Sequence, residues 1–238
     1  MLDFIKKLFK TKNDENISEE KPEINLTNEK SQLEHLWTKF KEEKFSEVIN
    51  EAIIIVERED NTLKNEALKL IGLSYFRQGK FNLSEQTFVS LTENSENPDD
   101  WFNLVTSSTL NKNVQLSEKA YAKTIELYQK SGTKENLPIP QIYYYYMQGL
   151  RDIKEYAKAF EQLNKLKEIY SKLVISDSTF LYLRGVPFLE HTIEASKEIL
   201  ENIEKTKASN FIRELTDKLD DEGKQYINEF EKTINYSC

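Results

Sequence analysis

A pattern of large apolar residues and small residues recurs along the middle of the chain, and it constrains the fold more than any other feature. In three copies an apolar anchor is followed 16 residues later by a small residue, in the pairs Leu68 and Ser84, Trp101 and Ser117, and Tyr143 and Ala159. An upstream copy, from Leu33 to Val48, has a step of 15. Within each copy the apolar residues lie three or four positions apart, which is the α-helical period. Each copy therefore predicts two helical stripes separated by a turn.

The repeated pattern resembles the tetratricopeptide repeat (TPR), a helix–turn–helix unit of about 34 residues. The best-matching copy contains Leu68, Ile71, Gly72, Tyr75, Ser84, Phe88 and Pro98. The resemblance covers residues 31–174, although Pro98 comes about two residues late for the family pattern. The spacing of 42 between Trp101 and Tyr143 is longer than the family's, and we expect the extra length to be a loop within residues 129–140. The resemblance implies an all-α fold, an α-solenoid of about four TPR-like helical hairpins.

Composition agrees with an all-α chain. Glycine and proline total 11 of 238 residues, whereas average usage is roughly 12%, so turn-rich β-sandwiches and barrels are disfavoured. The chain has 33 basic and 41 acidic residues and a net charge of −8, which disfavours nucleic acid as the partner. The one cysteine, Cys238, cannot form an internal disulfide, and this favours a reducing cytoplasm. No segment is apolar over the length that a membrane span requires.

The first 12 residues predict an amphipathic helix, since their apolar side chains fall within an arc of roughly 160° opposite three lysines. The apolar face consists of Leu2, Phe4, Ile5, Leu8 and Phe9. Two interpretations stay open for this segment. It either docks on the protein itself or frays, or it makes weak, transient contact with a membrane surface. Residues 13–30 are acidic and poor in apolar side chains, and they predict a flexible linker.

Residues 175–238 are predicted to form a helical cap at the carboxyl end of the repeats. Residues 176–178 have the composition of an N-cap, and the short helix that follows is expected to end near Gly185. Apolar residues on both sides of Gly223 predict a helical hairpin there. A solenoid needs a terminal unit with a polar outer face, and this need favours a cap over a second functional lobe.

No pattern in the chain predicts catalysis, a metal or a cofactor. His35 and His191 are 156 positions apart, and the known metal, phosphate-loop and nucleophile motifs do not occur. We interpret His191 with its neighbouring glutamates as a surface pair instead of a metal site. The pair Asp99 and Asp100 is expected at a helix start, and residues 220–222 are expected to be structural or solvated.

The resemblance also predicts a binding surface, because the first helix of each TPR lines a concave groove. The residues that it assigns to partner binding are Lys69, Leu73, Phe76, Arg77, Phe102, Asn103, Thr106, Tyr144, Tyr145, Gln148 and Arg151. Four consecutive tyrosines, residues 143–146, cannot all face one core on a helix. We expect Tyr143 and Tyr146 to be buried. Tyr144 and Tyr145 are then either exposed binding anchors or covered by the preceding loop.

Together these features predict a non-catalytic, cytoplasmic protein-binding scaffold or adaptor whose partner is another protein or a peptide. An acidic or extended peptide with apolar anchors would suit the predicted groove. The alternative is an inhibitor, such as an immunity protein that neutralises a cognate toxin, which would bind one basic enzyme far more tightly. An enzyme with an unrecognised site is a third and weaker hypothesis. Frequent Lys, Asn, Ile and Glu with only five arginines suggest a bacterial source with an AT-rich genome.

Overall fold

A computed structural model describes residues 29–57, 63–131 and 137–235, and these contain α-helices and no β-strand. Twelve helices are found in these ranges. They are α1 (Glu29–Lys41), α2 (Phe45–Val56), α3 (Lys64–Arg77), α4 (Phe81–Thr92), α5 (Pro98–Leu110), α6 (Val114–Ser131), α7 (Ile139–Asp152), α8 (Tyr156–Leu173), α9 (Ser178–Leu183), α10 (Leu189–Glu201), α11 (Lys205–Thr216) and α12 (Asp221–Glu231). The predicted all-α class is confirmed. The helices divide between two compact units, Met1–Glu96 and Asn97–Cys238.

The first eight helices form four consecutive pairs, and one turn geometry joins the members of every pair. Each turn has three residues, and its middle residue has a positive φ of 60° to 70°, at Glu43, Gly79, Lys112 and Lys154. The backbone N–H of the third turn residue donates to the carbonyl five positions earlier, as from Lys80 to Tyr75 at 2.9 Å. The same bond occurs at Lys44, Asn113 and Glu155. This arrangement satisfies the last carbonyls of the first helix and reverses the chain.

A fully buried residue lies at the fourth position of the second helix in each pair. These residues are Val48, Ser84, Ser117 and Ala159, all of them 0% exposed. In the second pair the Ser84 hydroxyl donates to the carbonyl of Gly72 at 2.9 Å. The ring of Phe88 lies so close to Gly72 that a Cβ there would come within 2.7 Å of it. Small side chains at these positions allow the two helices to approach closely.

The first unit contains α1 to α4. Helix α2 packs against both α1 and α3, α3 packs against α4, and α1 also contacts α3. The core is formed by side chains that are at most 5% exposed, among them Leu36, Val48, Ile55, Leu70, Ile71, Phe88 and Leu91.

The second unit contains α5 to α12. The pairs α5–α6 and α7–α8 pack together through α5 and α7. Helix α10 contacts α7 and α8, α11 contacts α8, and α12 contacts α10 and α11. The tail helices are thus layered on the last of the four pairs, and their buried residues include Ile193, Leu200, Phe211, Leu215 and Ile227.

Two local expectations about helix ends need correction, whereas Asp99 and Asp100 lie in the first turn of α5, as expected. Helix α6 continues through Ser131 into the region predicted as a loop, and α7 begins at Ile139 with Pro140 in its first turn, where proline is tolerated. Gly223 lies in the first turn of α12, and the break between α11 and α12 falls at residues 217–220. The cap of α5 is Asn97, whose side chain accepts from the N–H of Asp99 at 2.9 Å.

The predicted short helix in the tail is confirmed as α9. Asp177 caps it, with Oδ1 accepting a 2.7 Å hydrogen bond from the N–H of Phe180. The predicted amphipathic helix at residues 1–12 lies outside the described residues, and so does its apolar face of Leu2, Phe4, Ile5, Leu8 and Phe9. Residues 13–28 of the predicted linker lie outside them as well. Within the described ranges no helix has both the length and the apolarity that crossing a bilayer requires.

Candidate functional site

A surface cleft of about 650 Å³ lies in the second unit. The beginning of α7 contributes Gln141, Tyr144 and Tyr145 to its lining. Most of the remaining lining comes from residues 182–188, the segment that leads from the end of α9 to α10. His191 of α10 completes it. The cleft is therefore built jointly by the last helix pair and the tail.

Apolar side chains that line the cleft are unusually exposed. Tyr145 is 46% exposed, Tyr182 is 71% exposed and Leu183 is 76% exposed. Val174 and Ile175, which precede α9, are also exposed large hydrophobic residues. Soluble monomers rarely leave large contiguous apolar patches in water, and such patches commonly mark binding sites.

Helix α7 directs two of its four consecutive tyrosines into the cleft. Tyr146 is buried, as expected, and its hydroxyl lies 3.2 Å from that of Ser117. Tyr143 is half-buried and packs against Tyr121, with 6.4 Å between ring centroids. The opposite face carries Tyr144 and Tyr145, whose ring centroids are 5.5 Å apart. Burial raises the pKa of Tyr144, so its phenol is protonated at neutral pH.

The segment after α9 reaches the cleft through a conformation that requires glycine. Gly185 has a φ of +67°, and a Cβ at this position would come within 2.6 Å of the Pro138 ring. The neighbouring N–H of Val186 donates to the carbonyl of Leu181 at 3.0 Å and closes the end of α9. A side chain at position 185 would thus push the segment away from the start of α7.

A buried tyrosine outside the cleft holds the other end of the segment. The hydroxyl of Tyr170 donates to the carbonyl of Pro187 at 2.8 Å and shares a second 2.8 Å hydrogen bond with the hydroxyl of Thr192. Tyr170 is 0% exposed, and burial raises its pKa well above the ordinary value. Its hydroxyl therefore stays protonated and able to donate at neutral and moderately alkaline pH.

Asp220 fixes the chain just before α9. Its carboxylate accepts hydrogen bonds from the N–H and the hydroxyl of Ser176, at 2.9 and 2.6 Å, and from the N–H of Gly223 at 3.0 Å. Burial tends to raise the pKa of Asp220, but these hydrogen bonds together lower it below the usual value. The expectation that residues 220–222 are structural is confirmed at Asp220.

The two other predicted binding residues of α7 have structural partners. Gln148 is half-buried and forms a hydrogen bond with Tyr144. Arg151 donates from Nη1 to the carbonyl of Ala195 at 3.0 Å and from Nη2 to Asp152 at 2.7 Å. Arg151 thus connects α7 to α10, and neither Gln148 nor Arg151 lines the cleft.

The predicted binding residues of α5 do not line the cleft either. Phe102 is 8% exposed, so its ring is largely buried within the chain. Asn103 and Thr106 are half-buried, and the Thr106 hydroxyl donates to the carbonyl of Asn103 at 3.0 Å.

The remaining predicted residues belong to α3 of the first unit. Lys69 pairs with Glu66 at 2.8 Å, and Arg77 pairs with Glu43 at 3.1 Å. Phe76 packs edge-on against Phe81, with 5.4 Å between centroids. Leu73 is half-buried. Except for the exposed guanidinium of Arg77, these side chains are largely occupied by packing within their own unit.

Sequence reasoning missed the part of the site that the tail supplies. Tyr182, Leu183, Phe188 and His191 were assigned to a cap, yet all four line the cleft. A usable signal was present, because two large apolar residues end a short helix just before Gly185 instead of facing a helical core. His191 packs against Phe188, with 5.2 Å between ring centroids.

The lining limits the chemistry that the cleft can perform. Its described lining contains no Lys, Arg, Asp, Glu, Ser or Cys, and its polar side chains are those of Gln141, three tyrosines and His191. No group of three or more His, Cys, Asp or Glu side chains suited to a metal ion occurs among the described residues. Comparisons of the chain with protein-family models, with curated proteins and with solved structures found no match.

Proposed function

We propose that this chain is a non-catalytic protein-binding scaffold that holds a segment of another protein in the cleft of its second unit. In this proposal the four helix pairs are TPR-like hairpins of an α-solenoid, and the tail is its carboxyl-terminal cap. The common turn geometry and the buried residue at the fourth position of each second helix support the relationship among the pairs. The tail then has two roles, since it covers the last hairpin and completes the cleft.

The exposure of Tyr145, Tyr182 and Leu183 around one cleft carries the proposal. Burial of a large apolar side chain contributes roughly 1.5–3 kcal/mol, and exposed side chains have not yet gained this contribution. Aromatic anchors in pockets commonly account for about 2 kcal/mol or more of a binding free energy. The cleft combines these anchors with a backbone that Gly185, Tyr170 and Asp220 hold in place. Such preorganisation reduces the entropy lost on binding.

The experiment is a selection of displayed random peptides on the full chain, followed by affinity measurements on an enriched peptide. The test variant is Tyr145→Ala combined with Leu183→Ala. The matched control is Ile54→Ala, because Ile54 is as exposed as Tyr145, at 46%, but lies in the first unit. We expect the double variant to lose about tenfold or more in affinity, which corresponds to about 1.4 kcal/mol. The control should bind like the wild type.

Circular dichroism should show the same helix content in all three proteins, since the substituted side chains are largely exposed. Enriched peptides that bind the double variant as tightly as the wild type would refute the cleft as the binding surface. Equal losses in the double variant and the control would show that binding depends on general surface apolarity.

A further inference from the structure

The chemistry of the cleft lining defines the class of segment that it accepts, an inference that rests on the proposed function. Four tyrosine or phenylalanine rings and one imidazole are among its eleven lining residues. Flat aromatic faces are suited to packing against other rings and against saturated ring edges. The lining thus favours a ligand that presents flat or cyclic apolar groups over one with branched aliphatic chains alone.

Hydrogen-bond donors accompany these rings. Tyr145 and Tyr182 carry hydroxyls, and Gln141 carries an amide. Within the described residues none of these three side chains has a hydrogen bond to another side chain or to the backbone. A ligand that covered them without offering acceptors would leave buried donors unsatisfied, at a cost of about 1–3 kcal/mol each. The ligand therefore needs free carbonyl groups along its length.

This requirement separates an extended ligand from a helical one. An α-helix uses its carbonyls internally except in its last turn, so its side presents no acceptors. A polyproline II segment has no internal hydrogen bonds, and all its carbonyls face outwards. Its prolines also lack N–H groups, so few ligand donors would be left unsatisfied in a cleft that offers few acceptors.

The charges in and beside the cleft favour the same class of ligand. Among the described residues, no Lys, Arg, Asp or Glu lines the cleft, although 31% of the chain is charged, and this favours a ligand whose bound core is uncharged. Glu190 and Glu194 lie beside His191 on α10, and both are exposed. Arg184 is the nearest cation in sequence to the lining, and its guanidinium lies over the ring of Phe180 at 4.6 Å. Basic residues that flank an uncharged core would be attracted by the two glutamates.

We propose that the cleft binds an extended, proline-containing segment of a partner protein in the polyproline II conformation, with a basic residue beside it. Prolines pack between the rings of Tyr144, Tyr145 and Tyr182, and the hydroxyls of Tyr145 and Tyr182 donate to carbonyls of the segment. Because this conformation is largely formed before binding, little entropy is lost on association.

The test is to sequence those enriched peptides whose binding is weakened by Tyr145→Ala with Leu183→Ala. We expect at least two prolines spaced by about three residues, the period of one polyproline II turn, in most of them. Replacing either proline by alanine in a synthetic copy of the most enriched peptide should lower its affinity about tenfold. Tyr182→Phe should lower the affinity several-fold, because it removes one donor and keeps the ring. Glu190→Gln with Glu194→Gln should reduce both the affinity and its dependence on salt.

The outcomes distinguish this inference from the proposed function. Cleft-dependent peptides that form amphipathic helices, or that tolerate the loss of every proline, would overturn the inference and leave the proposed function standing. Cleft-dependent peptides rich in acidic residues would do the same. The absence of any peptide whose binding depends on Tyr145 and Leu183 would overturn both.

Discussion

Gly72 permits the closest helix contact in the first unit, and replacing it with alanine tests whether that contact is sterically limited. In an unconstrained helix interior Gly→Ala stabilises by about 1 kcal/mol. Here the new Cβ would lie 2.7 Å from Cζ of Phe88 and 2.9 Å from both Cε atoms. Carbon atoms prefer a separation of about 3.5–4.0 Å, so the overlap approaches 1 Å. Phe88 is 1% exposed, so its ring is enclosed by neighbouring groups and cannot swing into solvent without disturbing them.

Overpacking of this kind costs about 1–3 kcal/mol, and we place Gly72→Ala in the upper part of that range. After subtraction of the helix-propensity gain, the free energy of unfolding should fall by about 1–2 kcal/mol. The assay is urea unfolding followed by fluorescence in a Trp101→Phe background, where Trp37 is the one tryptophan left and reports on the first unit. The unfolding midpoint should decrease while the slope stays unchanged.

Two further variants test whether the loss comes from the steric contact with Phe88. Gly149→Ala lies in the second unit, so its unfolding is followed by circular dichroism instead of Trp37 fluorescence. It places a Cβ 3.2 Å from Cγ2 of Thr109, a milder contact, and should change stability by less than about 1 kcal/mol. Combining Gly72→Ala with Phe88→Leu removes the clashing ring atoms, so the double variant should be more stable than the sum of the single losses predicts. The steric reasoning would be refuted if Gly72→Ala stabilised the protein, or if the free-energy changes of Gly72→Ala and Phe88→Leu were strictly additive in the double variant.

Three other substitutions test the parts that hold the second unit. Tyr170→Phe should lower the free energy of unfolding by about 1–3 kcal/mol and also weaken peptide binding, as measured by denaturation and titration, because it releases the carbonyl of Pro187. Asp220→Ala should cost about 0.5–2 kcal/mol at pH 7. Because hydrogen bonds lower the folded-state pKa of Asp220, its contribution is fully present above the unfolded-state pKa of about 3.9 and is lost as the pH falls through the lower folded-state pKa. Wild type and variant should therefore converge in acid, while Asp221→Ala shows a smaller effect. Lys165→Met should change stability by less than about 1 kcal/mol, since the burial that lowers the pKa of Lys165 offsets its attraction to the ring of Tyr121 at 4.7 Å and its hydrogen bonds to the Tyr121 hydroxyl and Gln162. A larger loss would mean that these contacts of the ammonium group dominate.

The sequence predicted the helix pairs well, because their signal is local. The step from Leu68 to Ser84 spans one helix and one turn, so its recurrence reports directly on helix–turn–helix geometry. Helix ends were less predictable. Gly223 suggests a break, yet it lies inside α12 because Asp220 caps the helix three residues earlier. A cap of this kind depends on the local geometry of the turn, which the hydrophobic period does not encode.

The candidate site was only half predictable, and the reason is distance along the chain. The tyrosine tetrad identified Tyr144 and Tyr145, since four adjacent rings cannot share one helix face. Their partners Tyr182 and Leu183 lie almost 40 residues later, on a helix of six residues that has too little periodicity to show which way it faces. The burial of Phe102 could not be predicted for a related reason, because helical register indicates the direction of a side chain but not what covers it.

The segment that joins α8 to α10 is held by hydrogen bonds at both of its ends, and between them most side chains of residues 178–184 are exposed, although Leu181 is buried. At one end Ser176 donates a hydrogen bond to Asp220, and at the other Tyr170 donates a hydrogen bond to the carbonyl of Pro187. Protein engineers look for this arrangement when they graft variable loops onto a rigid frame. Randomising the exposed residues 178, 179 and 182–184, while retaining Leu181 and both hydrogen-bonded ends, would turn the chain into a scaffold for new recognition surfaces. Natural variation confined to the same positions would let related chains change partners without redesigning their helices.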